Sequence, residues 1–167
     1  MSELIDLVNP DGDIVEQAVP RNDAEQRDGL HMQIVIAVIF NSLSQILIHE
    51  RARTKKVNPG YIDLVCGGIL SGETPEVAAV REAQEEVGVT PSGLSIVRQG
   101  LNPYNRYCYL LVGKSDEKPS KELDPSEVAW AAYRNQEELY EAQKLGTMSF
   151  VNGFFEDLEF ASQKFTH

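Results

Sequence analysis

The chain has 167 residues, 42% of them hydrophobic and 25% charged, with a formal net charge of −11. That length suits one domain with a core of its own. The acidic balance speaks against polymeric nucleic acid as a partner, because such binding is driven by Lys and Arg meeting phosphates; a small phosphorylated ligand stays compatible, since a divalent cation and a few local cations outweigh a negative average.

Residues 1–30 are polar and carry a strong turn signal, Asn-Pro-Asp-Gly, at 9–12. Leu4, Ile5, Leu7 and Val8 before it, with Ile14 and Val15 after it, predict a short hairpin. Residues 20–29 predict a loop or one helical turn. His31 leads into the apolar run 33–40, whose length and β-branched content predict a buried strand. At a strand entrance, His31 reads as structural rather than as a ligand. Residues 41–44 predict a turn and 45–49 a second strand. The segment 51–60 is the main basic cluster of the chain. It is either a solvated loop or a phosphate clamp, with Arg51 binding in bidentate fashion and Lys55 acting as a point charge. Its place just before a glycine loop favours the clamp. Residues 61–65 predict a short strand into that loop.

The stretch 66–89 reads as a glycine loop, a short helix and a terminal glycine. Thr74 suits the N-cap, Pro75 the first helical position and Gly88 the left-handed residue after the last turn. At about 100° per residue, Val77, Val80, Ala83 and Val87 share a side that should face a core, and Glu82, Glu85 and Glu86 share an arc opposite. This is locally unfavourable. Glu82 and Glu86 repel by roughly 0.2–0.5 kcal/mol, and Glu85 and Glu86 stand at the negative end of the helix dipole. The arc is either a solvated acidic face or a hard-metal site, since clustered carboxylates suit Mg²⁺ or Mn²⁺.

After it, 94–99 and 107–112 predict strands joined by a loop at 102–106. Residues 113–125 are polar and charged and predict a mobile surface loop. A last strand is expected at 126–133 and a short helix at 136–143. A C-terminal helix is expected at 149–164, where Phe150, Val151, Phe154, Phe155, Leu158 and Phe160 offer an apolar face that reads as core rather than as a cofactor stack. Strands interleaved with helices on both faces predict an α/β/α sandwich. No apolar run approaches the roughly 20 residues that span a bilayer. The acidic start lacks the regions of a signal peptide. Two cysteines, Cys66 and Cys108, make no disulfide framework. A cytoplasmic location away from membranes is expected.

The stretch 66–89 resembles the Nudix box, G-x5-E-x7-R-E-U-x-E-E-x-G-U, with U a bulky aliphatic. Gly67, Glu73, Arg81, Glu82, Glu85, Glu86, Gly88 and Val89 fill their places, and Ala83 is smaller than the usual aliphatic. The resemblance implies an α/β class fold, a Nudix-like α/β/α sandwich with a mixed β-sheet. It also implies one Nudix domain over residues 1–167, with an N-terminal hairpin or loop extension at 1–30, the box at 67–89 and the C-terminal helix at 149–164. The implied activity is metal-dependent hydrolysis of a diphosphate bond in a nucleoside diphosphate linked to another moiety, or in a related small phosphorylated metabolite. Mg²⁺, or Mn²⁺, would be held by Glu82, Glu85 and Glu86 with the Gly67 carbonyl. Glu85, Glu86 and Arg81 are the catalytic candidates, and a Glu73–Arg81 pair would lock the loop onto the helix. Glu127 is a candidate further ligand or base, or else a strand-edge surface glutamate; Asp124 and Glu122 compete more weakly. Arg51 and Lys55 are the expected substrate contacts.

A narrower resemblance, over residues 3–133, is to the isopentenyl-diphosphate isomerase branch, carried by segments 6–12, 51–60 and 65–67. It would make Cys66 the group that protonates or deprotonates the isoprenoid carbon. Its histidine after the Cys-Gly pair is Gly68 here, His31 alone stands for the upstream histidine pair, and 102–107 holds no acid. Cys66 then reads as a buried small residue. The hydrolase reading leads, with the isomerase and a non-catalytic ligand-binding Nudix domain as alternatives. The substrate and the oligomeric state, a homodimer included, are left open.

Overall fold

Strand pairing follows from where the apolar runs come to rest. In the computed structural model, which describes residues 2–165, the elements in chain order are β1 (Leu4–Val8), β2 (Ile14–Pro20), a 3-10 helix (Arg21–Gln26), β3 (His31–Phe40), β4 (Ile46–Arg51), β5 (Ile62–Asp63), β6 (Val65–Gly68), α1 (Pro75–Val87), β7 (Ser92–Leu101), β8 (Tyr107–Lys114), β9 (Val128–Arg134), α2 (Gln136–Leu145) and α3 (Phe154–Lys164). β3 is central. It runs parallel to β8, from Gln33 against Tyr107 to Phe40 against Lys114. On its other side it is antiparallel to β6, from Ile34 against Gly68 to Ala37 against Val65. β7 pairs with β8, and β9 with β4, both antiparallel. The sheet is therefore mixed.

Both faces of β3 are covered over its second half, residues 37–40. Val35, Ala37 and Ile39 pack with Ala78, Ala79, Ala83 and Val87 of α1. Val38 and Phe40 pack with Leu139 of α2 and with Phe154, Leu158 and Ala161 of α3. Alternate side chains point to opposite faces, so a strand between two helical layers has no polar positions to offer. The result is an α/β/α sandwich. Among the described residues no helix is long and apolar enough to cross a membrane.

The hairpin β1–β2 lies against the start of β3, through Leu7–Met32 and Val8–His31. Its anchor is the buried Asp6. Asp6 accepts hydrogen bonds from the Ala18 N–H at 2.9 Å, the Ser71 hydroxyl at 2.6 Å and the Gly72 N–H at 3.2 Å. Burial raises the Asp6 carboxyl, but these donors outweigh it and hold the group below its ordinary value. The N-terminal segment is thereby strapped to the loop that precedes α1.

Three local expectations are corrected. The buried line of α1 is Ala78, Ala79, Ala83 and Val87, whereas Val77 is 53% exposed. Small side chains let the helix approach the sheet closely, so contact runs along the alanines and not along Val77 and Val80. The segment 149–164 is helical only from Phe154. Before that, the Ile62 N–H donates to the Ser149 carbonyl at 2.7 Å and the Val151 N–H to the Ile62 carbonyl at 3.1 Å, so Phe150 extends the edge of β5. Residues 113–125 are pinned and not loose. The Tyr133 hydroxyl donates to the Ser115 carbonyl at 2.9 Å, Asp116 accepts from the Ser42 N–H at 2.8 Å, Glu117 accepts from the Thr90 N–H at 2.7 Å, and the Ser120 N–H donates to the Val87 carbonyl at 2.9 Å.

Candidate active site

β6 ends in two glycines, and residues 69–74 carry the chain into α1. Thr74 caps the helix by accepting from the Val77 N–H at 3.3 Å, and Pro75 follows at the first position. Gly88 closes it at φ 67, its N–H donating to the Ala83 and Gln84 carbonyls. These caps fix the start and the end of α1, and so the rotation at which its glutamates leave the axis.

Arg81 is the hub. Its Nε and Nη2 donate to the two oxygens of Glu73 at 2.8 and 2.9 Å, and Nη2 also donates to the Gly68 carbonyl at 2.7 Å. Nη1 donates to Glu82 at 2.6 Å and to Glu85 at 3.3 Å. Glu73 in turn accepts from the Leu70 N–H at 2.9 Å. The planar fork of arginine suits this bidentate lock, and the bonds to Arg81 hold the Glu73 carboxyl below its ordinary value despite its burial.

The glutamates are not equivalent. Glu82 lies against the Cα of Gly67: a Cβ built there would overlap the Glu82 carboxylate. Glu86 is half-buried and accepts from the Cys66 N–H at 3.2 Å. Burial first, then the like charges of Glu82 and Asp63, push its carboxyl well above the ordinary range, while Arg51 and the Cys66 N–H offset this only in part. Glu85 is 60% exposed. Glu82 and Glu86 thus border the buried line of α1 instead of standing opposite it. Gly67→Ala is expected to displace Glu82 and to cost about 1–3 kcal/mol through overpacking, read as a lower urea midpoint; unchanged stability would contradict this seating.

The donors Glu82, Glu85, Glu86 and the Gly67 carbonyl are all oxygens, which suits a hard divalent cation by type. A half-buried carboxylate destabilised as an anion is also a group that a cation would relieve. In position they do not yet converge. Among the described residues no three His, Cys, Asp or Glu side chains stand close enough to hold a metal, because Arg81 draws Glu82 and Glu85 to itself.

Of the other expected residues, Arg51, Lys55 and Glu127 are brought near one another. Arg51 Nη1 pairs with Asp63 at 3.1 Å and Nε donates to the Val57 carbonyl at 3.3 Å. Asp63 is pushed up to about 6 by burial, moderated by Arg51. Lys55 pairs with Glu127, whose carbonyl accepts from the Ala52 N–H at 2.9 Å. His31 is buried, its Nδ1 3.4 Å from the Asn105 carbonyl. Cys66 is only partly buried, and its thiol is raised well above its ordinary value by burial and by the Asp63 and Glu86 charges.

Two residues escaped the sequence reading. Arg21 places its guanidinium over Gly68, where a Cβ would overlap it; its charge reaches Glu82, and Glu3 pairs with it. It belongs to a stretch without periodicity, so only the folding of the hairpin onto the loop brings it here. His49 is buried with no hydrogen-bond partner on Nδ1. Burial, Arg51 and Lys55 push it down to about 4, so it is neutral at physiological pH.

A glycine turn feeding a helix whose arginine clamps a row of glutamates, set on a mixed sheet between helical layers, defines the class: a Nudix-type loop–helix–loop site. The NUDIX domain model matches residues 30–151, and the chain belongs to the Nudix hydrolase family. Among its relatives, the Nudix hydrolase lmo0368 of Listeria monocytogenes is 32% identical over 154 residues, covering 90% of this chain and 89% of that one. An isopentenyl-diphosphate Delta-isomerase of Streptomyces coelicolor is 31% identical over 160 residues, covering 87% and 78%. The crystal structure of DR0079 from Deinococcus radiodurans superposes with a TM-score of 0.72 at 25% identity, covering 95% and 99%.

Proposed function

We propose that the protein hydrolyses, with a divalent metal, a diphosphate bond in a nucleoside diphosphate linked to another moiety or in a related small phosphorylated metabolite, acting in the cytoplasm. The observation that carries this reading is the seating of Glu82 on Gly67 and of Glu86 on the Cys66 N–H, which sets two carboxylates against one short strand with Arg21 over the next glycine. Glu82, Glu85, Glu86 and the Gly67 carbonyl would hold the cation, Mg²⁺ or Mn²⁺. Bound there, it would supply positive charge against the diphosphate oxygens and the leaving group.

The remaining roles fall to the chain itself. Arg81 orients Glu82 and Glu85 and ties the loop to the helix. Arg21 and Arg51 offer guanidinium groups to phosphate oxygens, which they grip in bidentate fashion. Lys55 adds a point charge, positioned by Glu127. Glu127, on the far side of the cleft from the box glutamates and outside the proposed cation shell, is the candidate to take the proton from the attacking water.

Two features weigh against isomerase chemistry, which needs an acid or base at the isoprenoid carbon. Gly68 stands where the isomerase has a histidine after its Cys-Gly pair, and the loop 102–106 presents Tyr104 and Arg106 with no carboxylate. Phosphorus NMR on nucleoside di- and triphosphates, dinucleotide and sugar-nucleotide diphosphates and isopentenyl diphosphate, with and without Mg²⁺, tests the proposal. New monophosphate or phosphate signals are expected only with metal. Conversion of the isopentenyl sample in proton NMR, without cleavage elsewhere, would replace the hydrolase by the isomerase, and ligand binding without any turnover would leave a binding domain.

A further inference from the structure

The N-terminal hairpin carries a bulge. Ile5 pairs with Val19 and Leu7 with Glu16, so one residue of β1, Asp6, stands opposite two of β2, Gln17 and Ala18. Ala18 takes φ 53, a left-handed conformation that a Cβ disfavours. It is held there by its own N–H, which donates to the Asp6 carboxylate at 2.9 Å. A bulge re-aims the chain that leaves it, and three residues further on comes Arg21. Val19 between them is buried, and the Arg21 N–H donates to the Glu3 carbonyl at 2.9 Å. The backbone from the bulge to Arg21 is therefore fixed.

The same buried carboxylate reaches across to the box. Its Oδ1 also accepts from the Ser71 hydroxyl at 2.6 Å, and its Oδ2 from the Gly72 N–H at 3.2 Å. Ser71 follows Gly68 by three residues, as Arg21 follows Ala18. The contacts close a ring: Asp6 joins the bulge to the loop, and the Arg21 guanidinium comes to rest over Gly68, in the space a Cβ would fill. Leu70 packs on the cluster of Ile5, Leu7 and Val19, which brings hairpin and loop together. Apolar contact is non-directional, so it does not set how one lies on the other. Three hydrogen bonds converging on one carboxylate do, because each fixes a distance and an angle, and an ionised carboxylate offers acceptors alone.

We infer that Asp6 is a positioning residue for phosphate recognition: it touches no substrate, and it sets the Arg21 guanidinium over Gly68, where Arg21 grips the diphosphate. The inference rests on the proposed diphosphate hydrolase and gives the polar N-terminal hairpin a part in binding besides its packing. Without the strap the arginine is still present but no longer aimed, so weaker phosphate binding is expected. Asparagine at position 6 breaks the strap selectively. Its single acceptor serves the Ala18 N–H and the Ser71 hydroxyl, and its amide then meets the Gly72 N–H donor against donor.

Calorimetric titration of the full chain with methylenediphosphonate in Mg²⁺ tests the inference, since the P–C–P link of this probe is not hydrolysed. Arg21→Met is expected to weaken binding about ten-fold, the weight of one charge-assisted contact. Asp6→Asn should weaken it by about three- to ten-fold, and the double variant should bind no more weakly than Arg21→Met alone, because the strap acts only through that arginine. Ser71→Ala leaves the bond between Ala18 and Asp6 in place and should cause a smaller loss, which also vanishes in the Arg21→Met background; it carries the test if Asp6→Asn does not fold. A merely structural strap would lower the melting temperature without this non-additivity. Absence of binding by the wild type, unchanged affinity in Arg21→Met or in the strap variants, or losses that add to that of Arg21→Met would overturn the inference. The two readings fail separately. Metal-dependent diphosphate cleavage with additive losses removes the strap and keeps the hydrolase; non-additive losses with no cleavage of any diphosphate do the reverse.

Discussion

Glu86→Gln is expected to lower metal-dependent diphosphate cleavage by about 10²–10³-fold while making the metal-free protein more stable. The two effects have one cause. Glu86 reaches the Cys66 N–H across the end of β6 and is half-buried beside Glu82 and Asp63. As an anion without metal it is disfavoured by burial and by its like-charged neighbours. Glutamine has the same shape, still accepts from the Cys66 N–H, and carries no charge. It therefore removes that penalty and with it a carboxylate ligand. A gain of about 0.5–2 kcal/mol, the range of single stabilising changes, should appear as a higher melting temperature in chelator. Phosphorus NMR with Mg²⁺ reads the other half. Full activity in the variant would remove Glu86 from the site, and a lower melting temperature would show that its charge is already compensated in the metal-free protein.

Arg81→Ala should be the most destabilising single change in the box, by about 3 kcal/mol, the lower end for breaking a buried pair. The loss is more than one ion pair. Arg81 holds Glu73, Glu82, Glu85 and the Gly68 carbonyl at once, and its removal leaves Glu73 and Glu82 close together with no cation in contact. Arg81→Lys should recover part of the stability, since one ammonium cannot span both Glu73 oxygens and the carbonyl. A pH signature separates this lock from general packing. Arg81 holds the Glu73 carboxyl below its ordinary value of 4.5, so the Glu73 contribution is complete above that value and is lost as pH falls through the lower folded value. Urea midpoints of the wild type should therefore fall more steeply on the acid side than those of Arg81→Ala. Parallel profiles would argue that the Arg81–Glu73 pair adds nothing to folding.

The N-terminal hairpin reaches the box at two points. Asp6 straps it to the loop before α1, and Arg21, just past its second strand, stands over Gly68. The segment that reads as a polar extension is therefore part of the site wall. The same holds for residues 113–125, which read as loose because they are charged but whose carboxylates and carbonyls are taken up by backbone N–H groups and by Tyr133.

What the sequence alone determined is local and periodic. The spacing from Gly67 to Val89 specifies the loop, the capped helix and the family, because caps, glycine conformations and i to i+4 neighbours act over one or two turns. The unbroken run 33–40 likewise demands a strand covered on both faces. Only the tertiary structure decided which way the acidic arc points. Helical periodicity placed Glu82 and Glu86 opposite the core, yet the alanine line at 78, 79 and 83 lets α1 settle close to the sheet and turns them onto Gly67 and Cys66. It alone also brought Arg21 to Gly68, paired Lys55 with Glu127 and set Arg98 against Asp157. Those partners are 47, 72 and 59 residues apart, and no local rule acts over such a span. Their contacts exist because the hairpin, β9 and α3 fold back on β6, β4 and β7, and that is decided by which apolar faces bury one another.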